Sequence, residues 1–135
     1  MLVRDYMTTD VVCANLRDGL RQTYDRMLER GIRHLPVLDD SEKLVGIVSD
    51  RDLRRPKNVD EPNVAHYFVL DNNTKVEEAM SGGLMTVTPD DPIERAVDLL
   101  LDGRHGALPV VDGDGSNLVG ILTTIDLLEA LRKRL

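Results

Sequence analysis

A shift of 73 residues carries Met7 onto Met80, Leu20 onto Ile93, Tyr24 onto Val97, Met27 onto Leu100, and Leu35-Pro36-Val37 onto Leu108-Pro109-Val110 without a gap. One extra residue in the turn before the second Leu-Val-Gly-Ile moves the shift to 74. The match then continues from Gly46-Ile47-Val48-Ser49-Asp50-Arg51-Asp52 onto Gly120-Ile121-Leu122-Thr123-Thr124-Ile125-Asp126. The chain is therefore two copies of one unit. Two copies are too few for a solenoid, whose repeats need at least about three to bury their faces, so the repeat reads as a duplicated domain half.

Each copy reads coarsely as β-α-β-β-α, an α+β fold. Asp10–Asn15 and Gly83–Thr88 are short apolar runs that end before turn residues, so each predicts a strand followed by a helix start. Leu20, Thr23, Tyr24, Met27 and Leu28 recur at helical spacing, and Ile93, Ala96, Val97, Leu100 and Leu101 repeat that stripe, which must face a core. Gly31 and Gly103 stand where a left-handed C-terminal cap is wanted. His34–Asp39 and Ala107–Asp112 lead through Asp/Ser/Gly turns into Leu44–Ser49 and Leu118–Thr123, the pattern of hairpins. Closing helices follow, the first cut short by Pro56. Residues 1–55 form the first repeat, 56–74 a linker with a short ordered piece around Tyr67 to Leu70, and 75–135 the second repeat.

Composition narrows the functions open to such a fold. A net charge of -7 over 135 residues argues against a general affinity for nucleic acid or anionic lipid. One Phe, three Tyr and no Trp supply no stacking platform for single strands. No apolar run approaches the roughly 18 residues of a membrane span. The opening Met1–Asp10 carries charge where a signal peptide is apolar, and a single cysteine, Cys13, cannot close an internal disulfide, so a cytoplasmic protein is expected. His34, His66 and His105 lack metal-ligand spacing. Asp112–Asn117 imitates the start of a calcium loop but has Asn117 and Thr123 where the loop's glycine and closing acid belong. No nucleophile-base or paired-acid constellation stands out, so no enzyme is expected.

What remains is the repeated Gly-Ile-x-(Ser/Thr)-x-x-Asp. Ser49-x-x-Asp52 and Thr123-x-x-Asp126 each fit a capping box, in which hydroxyl and carboxylate satisfy backbone N–H groups at a helix start. The same geometry suits a ligand, because a helix N-terminus offers free N–H groups and a positive dipole end. Both roles stay open from the letters alone. Gly46 and Gly120 fit a backbone that must come close to something, or a bulge.

With Arg33-His34-Leu35-Pro36-Val37-Leu38-Asp39 ahead of the first motif and Ala107-Leu108-Pro109-Val110-Val111-Asp112 ahead of the second, the chain resembles a CBS-domain pair, the Bateman module, over essentially its whole length. Within that family it is most similar to small stand-alone pairs of the acetoin-utilisation type. The resemblance implies two repeats packed with pseudo-twofold symmetry and a regulatory module that binds AMP, ADP, ATP or S-adenosylmethionine without an obligatory cofactor. It also implies a homodimer, to which Leu127, Leu128 and Leu131 would contribute, and an unidentified regulated protein. Carried over by position, Asp126 and Thr123 would share a cleft with Val12, Ile32 and Arg33, whereas Asp52 and Ser49 would face Met85, His105 and Gly106. The motif aspartates would take ribose hydroxyls, and Arg33 and His34 would reach phosphate. The alternative is a constitutive oligomerisation or adaptor module whose Ser/Thr-x-x-Asp pairs are caps only.

Overall fold

The computed structural model describes residues 1–54, 70–103 and 106–135. They are mixed α and β: β1 (Ala14–Asn15), α1 (Leu20–Arg30), β2 (His34–Leu38), β3 (Leu44–Ser49), α2 (Asp50–Leu53), α3 (Val76–Ala79), α4 (Ile93–Asp102), β4 (Ala107–Asp112), β5 (Asn117–Thr123) and α5 (Thr124–Arg132). A 3-10 turn, Val3–Asp5, precedes them. β1, β2 and β3 form one sheet in that order, and β4 and β5 form an antiparallel pair. The ordered piece expected around Tyr67 to Leu70 lies, apart from Leu70, outside the described residues.

Packing does not follow the repeats. One compact unit joins Met1–Val12 and Glu42–Leu44 to Gly83–Leu135; the other joins Cys13–Ser41 to Val45–Gly82. We call them the α4 unit and the α1 unit. Each contains the leading segment of the other repeat, and the matching contacts are the same in both. In the α4 unit Thr8 bridges Ile121 and the Ile93 amide donates to the Met1 carbonyl; in the α1 unit Ser81 bridges Ile47 and the Leu20 amide donates to the Thr74 carbonyl. Val3 and Val76, equivalent under the 73-residue shift, are both wholly buried. Full burial of a valine stabilises by roughly 1.5–3 kcal/mol, which fixes these short arms in place.

The exchange explains the repeated glycines. A Cβ on Gly46 would stand 2.6 Å from the Met80 sulfur and 3.3 Å from the Ser81 carbonyl oxygen. On Gly120 it would stand 3.0 Å from both the Met7 sulfur and the Thr8 carbonyl oxygen. What the backbone must approach is the arm of the other repeat, lying over the strand.

The α1 helix starts without a hydroxyl or carboxylate cap of its own, at Gly19. The other end of the unit supplies partners instead: Arg21 and Gln22 donate their amides to the Asp71 carbonyl and to Asn72 Oδ1. A side chain at position 19 has no room, because its Cβ would fall 2.4 Å from Asn72 Oδ1. At the far end Gly31 takes φ 64, with the Ile32 amide on the Met27 carbonyl, the wrapped cap the sequence calls for.

Three expectations need correction. Gly103 is extended, at φ -83, and its glycine serves close approach instead, since a Cβ there would lie 2.7 Å from the Leu99 carbonyl oxygen. The helical stripes hold at Leu20, Thr23, Met27, Ile93 and Ala96, but Leu28 and Leu101, at the edge of each stripe, are 63% and 78% exposed. The strands expected at 10–15 and 83–88 shrink to β1 and to a single bridge from Val87 to Val110. Proline accounts for the shortening. The Val87 amide donates to the Pro109 carbonyl and the Val111 amide to Val87; the next bond outward would need an N–H on Pro109, which has none. Pro36 stands at the same point of β2, where β1 pairs only with Val37 and Leu38.

The α4 unit's core is Val3, Val87, Ile93, Ala96, Leu108, Val110 and Leu122, with Tyr6, Met7, Leu99, Leu100, Val119 and Leu127 packed around it. In the α1 unit, Met27, Leu35, Val37, Val48, Leu53 and Val76 are among the most deeply buried. Among the described residues, no helix is long and apolar enough to cross a membrane.

Candidate functional site

Both repeated motifs sit where a hairpin strand turns directly into a helix. At the end of β3 the Ser49 hydroxyl accepts the Asp52 amide at 3.1 Å, and Asp52 Oδ2 accepts the Ser49 amide at 2.9 Å. At the end of β5 the Thr123 hydroxyl accepts the Asp126 amide at 3.1 Å, and Asp126 Oδ2 accepts the Thr123 amide at 2.9 Å. Both capping boxes are complete.

A cap uses only one oxygen of each carboxylate. Ser49 and Asp52 are 9% and 7% exposed, and among the described residues nothing donates to Asp52 Oδ1. That oxygen is not sealed from solvent, since among the described residues the one fully buried side-chain polar atom without a partner is Thr74 Oγ1, so it is open to an external hydroxyl. Asp126 is half-buried, and its Oδ1 accepts the Thr8 hydroxyl at 3.3 Å.

The strand starts complete each neighbourhood. The Asp50 amide, at the first residue of α2, donates to the Arg33 carbonyl at 3.0 Å; the Thr124 amide, at the first residue of α5, donates to Gly106 at 2.9 Å. In the α1 unit, Ser49, Asp52 and the backbone of Arg33 therefore meet at the α2 start. In the α4 unit, Thr123, Asp126, Gly106 and Thr8 meet at the α5 start. Arg33 is exposed, Ile32 half-buried, and His34 half-buried as the first residue of β2. Val12 is half-buried at the end of the α4 unit's arm. Met85, 43% exposed, lies beside Gly103. His105 falls outside the described residues.

Thr8 is absent from the residues that the sequence singles out. The signal was there in Met7-Thr8 and Met80-Ser81, a repeated pair that the arms bring onto the motif glycines.

Other candidates resolve into structure. Asp112 to Ser116 is a hairpin turn with Gly113 and Gly115 at positive φ, and the Ser116 hydroxyl and amide hold the Asp114 carboxylate below its usual range. Cys13 is half-buried, and that burial raises its thiol pKa, opposed by the nearby Arg26 guanidinium. Arg26 spans the Cys13 carbonyl and Asp18, which in turn accepts the Asn15 amide. Among the described residues no three His, Cys, Asp or Glu side chains gather as a metal site would require.

Against known proteins, the model of the CBS domain matches residues 3–56 and 76–133. The chain belongs to the CBS-domain family. As a CBS pair it is similar to an acetoin utilisation protein from Vibrio cholerae, with a TM-score of 0.81 and 28% identity over 99% of this chain and 92% of that one. The structure of CBSX2, from Arabidopsis thaliana, in complex with AMP gives a TM-score of 0.78 at 29% identity over 98% and 97% of the two chains. The CBS pair of protein MJ0100, in complex with 5′-methylthioadenosine and S-adenosyl-L-methionine, gives 0.78 at 26% identity over 97% and 99%. The chain also spans 23% and 22% of the length of two curated homoserine O-acetyltransferases.

Proposed function

We propose that this CBS pair is a non-enzymatic regulatory module of the cytoplasm. It takes an adenine nucleotide or another adenosyl compound and passes the occupancy on by a change in conformation. Asp52 and Asp126 accept ribose hydroxyls, with Ser49 and Thr123 holding the carboxylates in place. Arg33 offers phosphate a fixed charge and a planar fork, and His34 assists it. Val12, Ile32, Met85 and His105 contribute the remaining contacts. The observation that carries this reading is the Asp52 carboxylate, nearly buried yet with one oxygen left over from its cap. Crystallised CBS pairs that hold AMP or S-adenosyl-L-methionine support it.

A panel of adenosine, AMP, ADP, ATP, S-adenosylmethionine and 5′-methylthioadenosine in a thermal-unfolding assay tests it. At 100 times its dissociation constant, a ligand that binds only the native state adds about 2.7 kcal/mol. No shift with any of the six, up to millimolar concentration, would remove the sensor reading. The second reading, a constitutive adaptor, draws on the fact that both capping boxes close without a ligand. It predicts that flat response.

The assembly we propose is a homodimer, because Leu128 and Leu131 on α5, joined by Ile125 and by Leu135 beyond it, are all more than half exposed, whereas Leu127, expected on the same face, packs against the α4 unit's core.

A further inference from the structure

The two motif aspartates differ in one respect that their shared pattern conceals. Thr8 and Ser81 are equivalent under the repeat, and both are pinned to a motif strand by a reciprocal pair of backbone hydrogen bonds: Thr8 with Ile121 at 2.9 Å each way, and Ser81 with Ile47 at 3.0 and 3.4 Å. Yet only Thr8 donates its hydroxyl to the motif carboxylate, at Asp126 Oδ1. No hydrogen bond from the Ser81 hydroxyl to Asp52 occurs among the described residues. A β-branched threonine has few χ1 states, so the backbone bridge that fixes Thr8 also restricts where its hydroxyl can go. Serine on the same scaffold is freer to turn away.

We propose that Thr8 is a positioning residue for Asp126, supplied by the exchanged arm, and that it sets how that carboxylate presents itself to a ligand diol. The ligand part of this proposal rests on reading Asp126 as a ribose acceptor. The argument is one of lone pairs. Each carboxylate oxygen has two acceptor sites. The Thr123 amide takes one on Oδ2 and the Thr8 hydroxyl takes one on Oδ1. One site on each oxygen is left, on a carboxylate that can no longer rotate freely, which is enough for two vicinal hydroxyls. At Asp52 the cap fixes only one oxygen, so the carboxylate is less constrained towards a diol.

Thr8→Val removes the hydroxyl at nearly constant shape, and Thr8→Ser keeps it. Hydrogen exchange at the Thr123 amide, measured without ligand, reports whether Asp126 is still held against its cap. Calorimetry with adenosine and with 2′,3′-dideoxyadenosine reports the diol. We expect Thr8→Val to speed exchange at Thr123 and to weaken one class of adenosine sites roughly 2- to 12-fold, the equivalent of one ordinary hydrogen bond. Dideoxyadenosine binding should be unchanged, and Thr8→Ser, which keeps the hydroxyl but frees its χ1, should fall between the parent and Thr8→Val in both readouts. An unchanged Thr123 exchange rate overturns the proposal, as does an equal weakening of adenosine and dideoxyadenosine, which is what a merely structural role would produce. If the parent binds no adenosine, the proposed function falls, and the exchange rates alone decide whether Thr8 positions Asp126.

Discussion

At Gly120 a single methyl group would press on the Thr8 carbonyl oxygen, which is locked in a two-bond bridge, whereas at Gly46 the closest atom is the movable sulfur of Met80. Gly120→Ala should therefore cost more than Gly46→Ala, the larger loss falling in the 1–3 kcal/mol range of overpacked sites. Urea denaturation of the two variants checks the order. Asp52→Ala and Asp126→Ala each remove the N3 half of a capping box, the acceptor of the Ser49 or Thr123 amide, with a cost of about 1 kcal/mol for the lost hydrogen bond. Asp52, the more buried of the two, should lose more stability. For ligands, Arg33→Ala should weaken AMP while sparing adenosine, which has no phosphate to lose; equal weakening of both in calorimetry would remove Arg33 from the phosphate role. Cys13 offers a pH test. Burial raises its thiol pKa, so less thiolate is present at neutral pH than for a free thiol. Alkylation of the native protein should lag behind that of the urea-unfolded chain at pH 7, and the gap should narrow as pH rises above the ordinary thiol range.

Among the elements, the hairpins and closing helices were legible because their signals are local: a hydroxyl three residues before an aspartate, a turn of Asp, Ser and Gly, an apolar stripe of helical period. The arms were not. Val3–Asp5 and Val76–Ala79 are too short to show a period, and their partners lie about 90 residues later and about 60 residues earlier in the chain. The shortening of the first strand was hidden for a related reason, since the proline responsible sits in the strand that would have been its neighbour. At the site the caps could be read directly, but the donor to Asp126 arrives on an arm that the sequence assigns to the other repeat. The exchange makes a prediction of its own. Val3→Ala should cost about 2 kcal/mol and lower amide protection chiefly in α4 and β5. Val76→Ala should cost about as much but act in α1 and β3. Exchange measured by mass spectrometry separates the two, and protection lost only within the mutated repeat would contradict the division into units.

For the whole molecule, the exposed leucines of α5 are the feature that a lone copy leaves uncovered. Light scattering at micromolar concentration should give twice the 15.1 kDa of one chain, and Leu128→Glu combined with Leu131→Glu should return it to one. A parent at the single-chain mass would remove the dimer. The reciprocal exchange also sets an order on biosynthesis. All the segments of the α1 unit have been made once residue 82 has left the ribosome, whereas the α4 unit needs Met1–Val12 to meet the later-made Gly83–Leu135. At roughly 5–20 residues per second this leaves the early arm waiting for several seconds with Val3 exposed. During that interval it is a sticky end, open to the matching strand of another nascent copy.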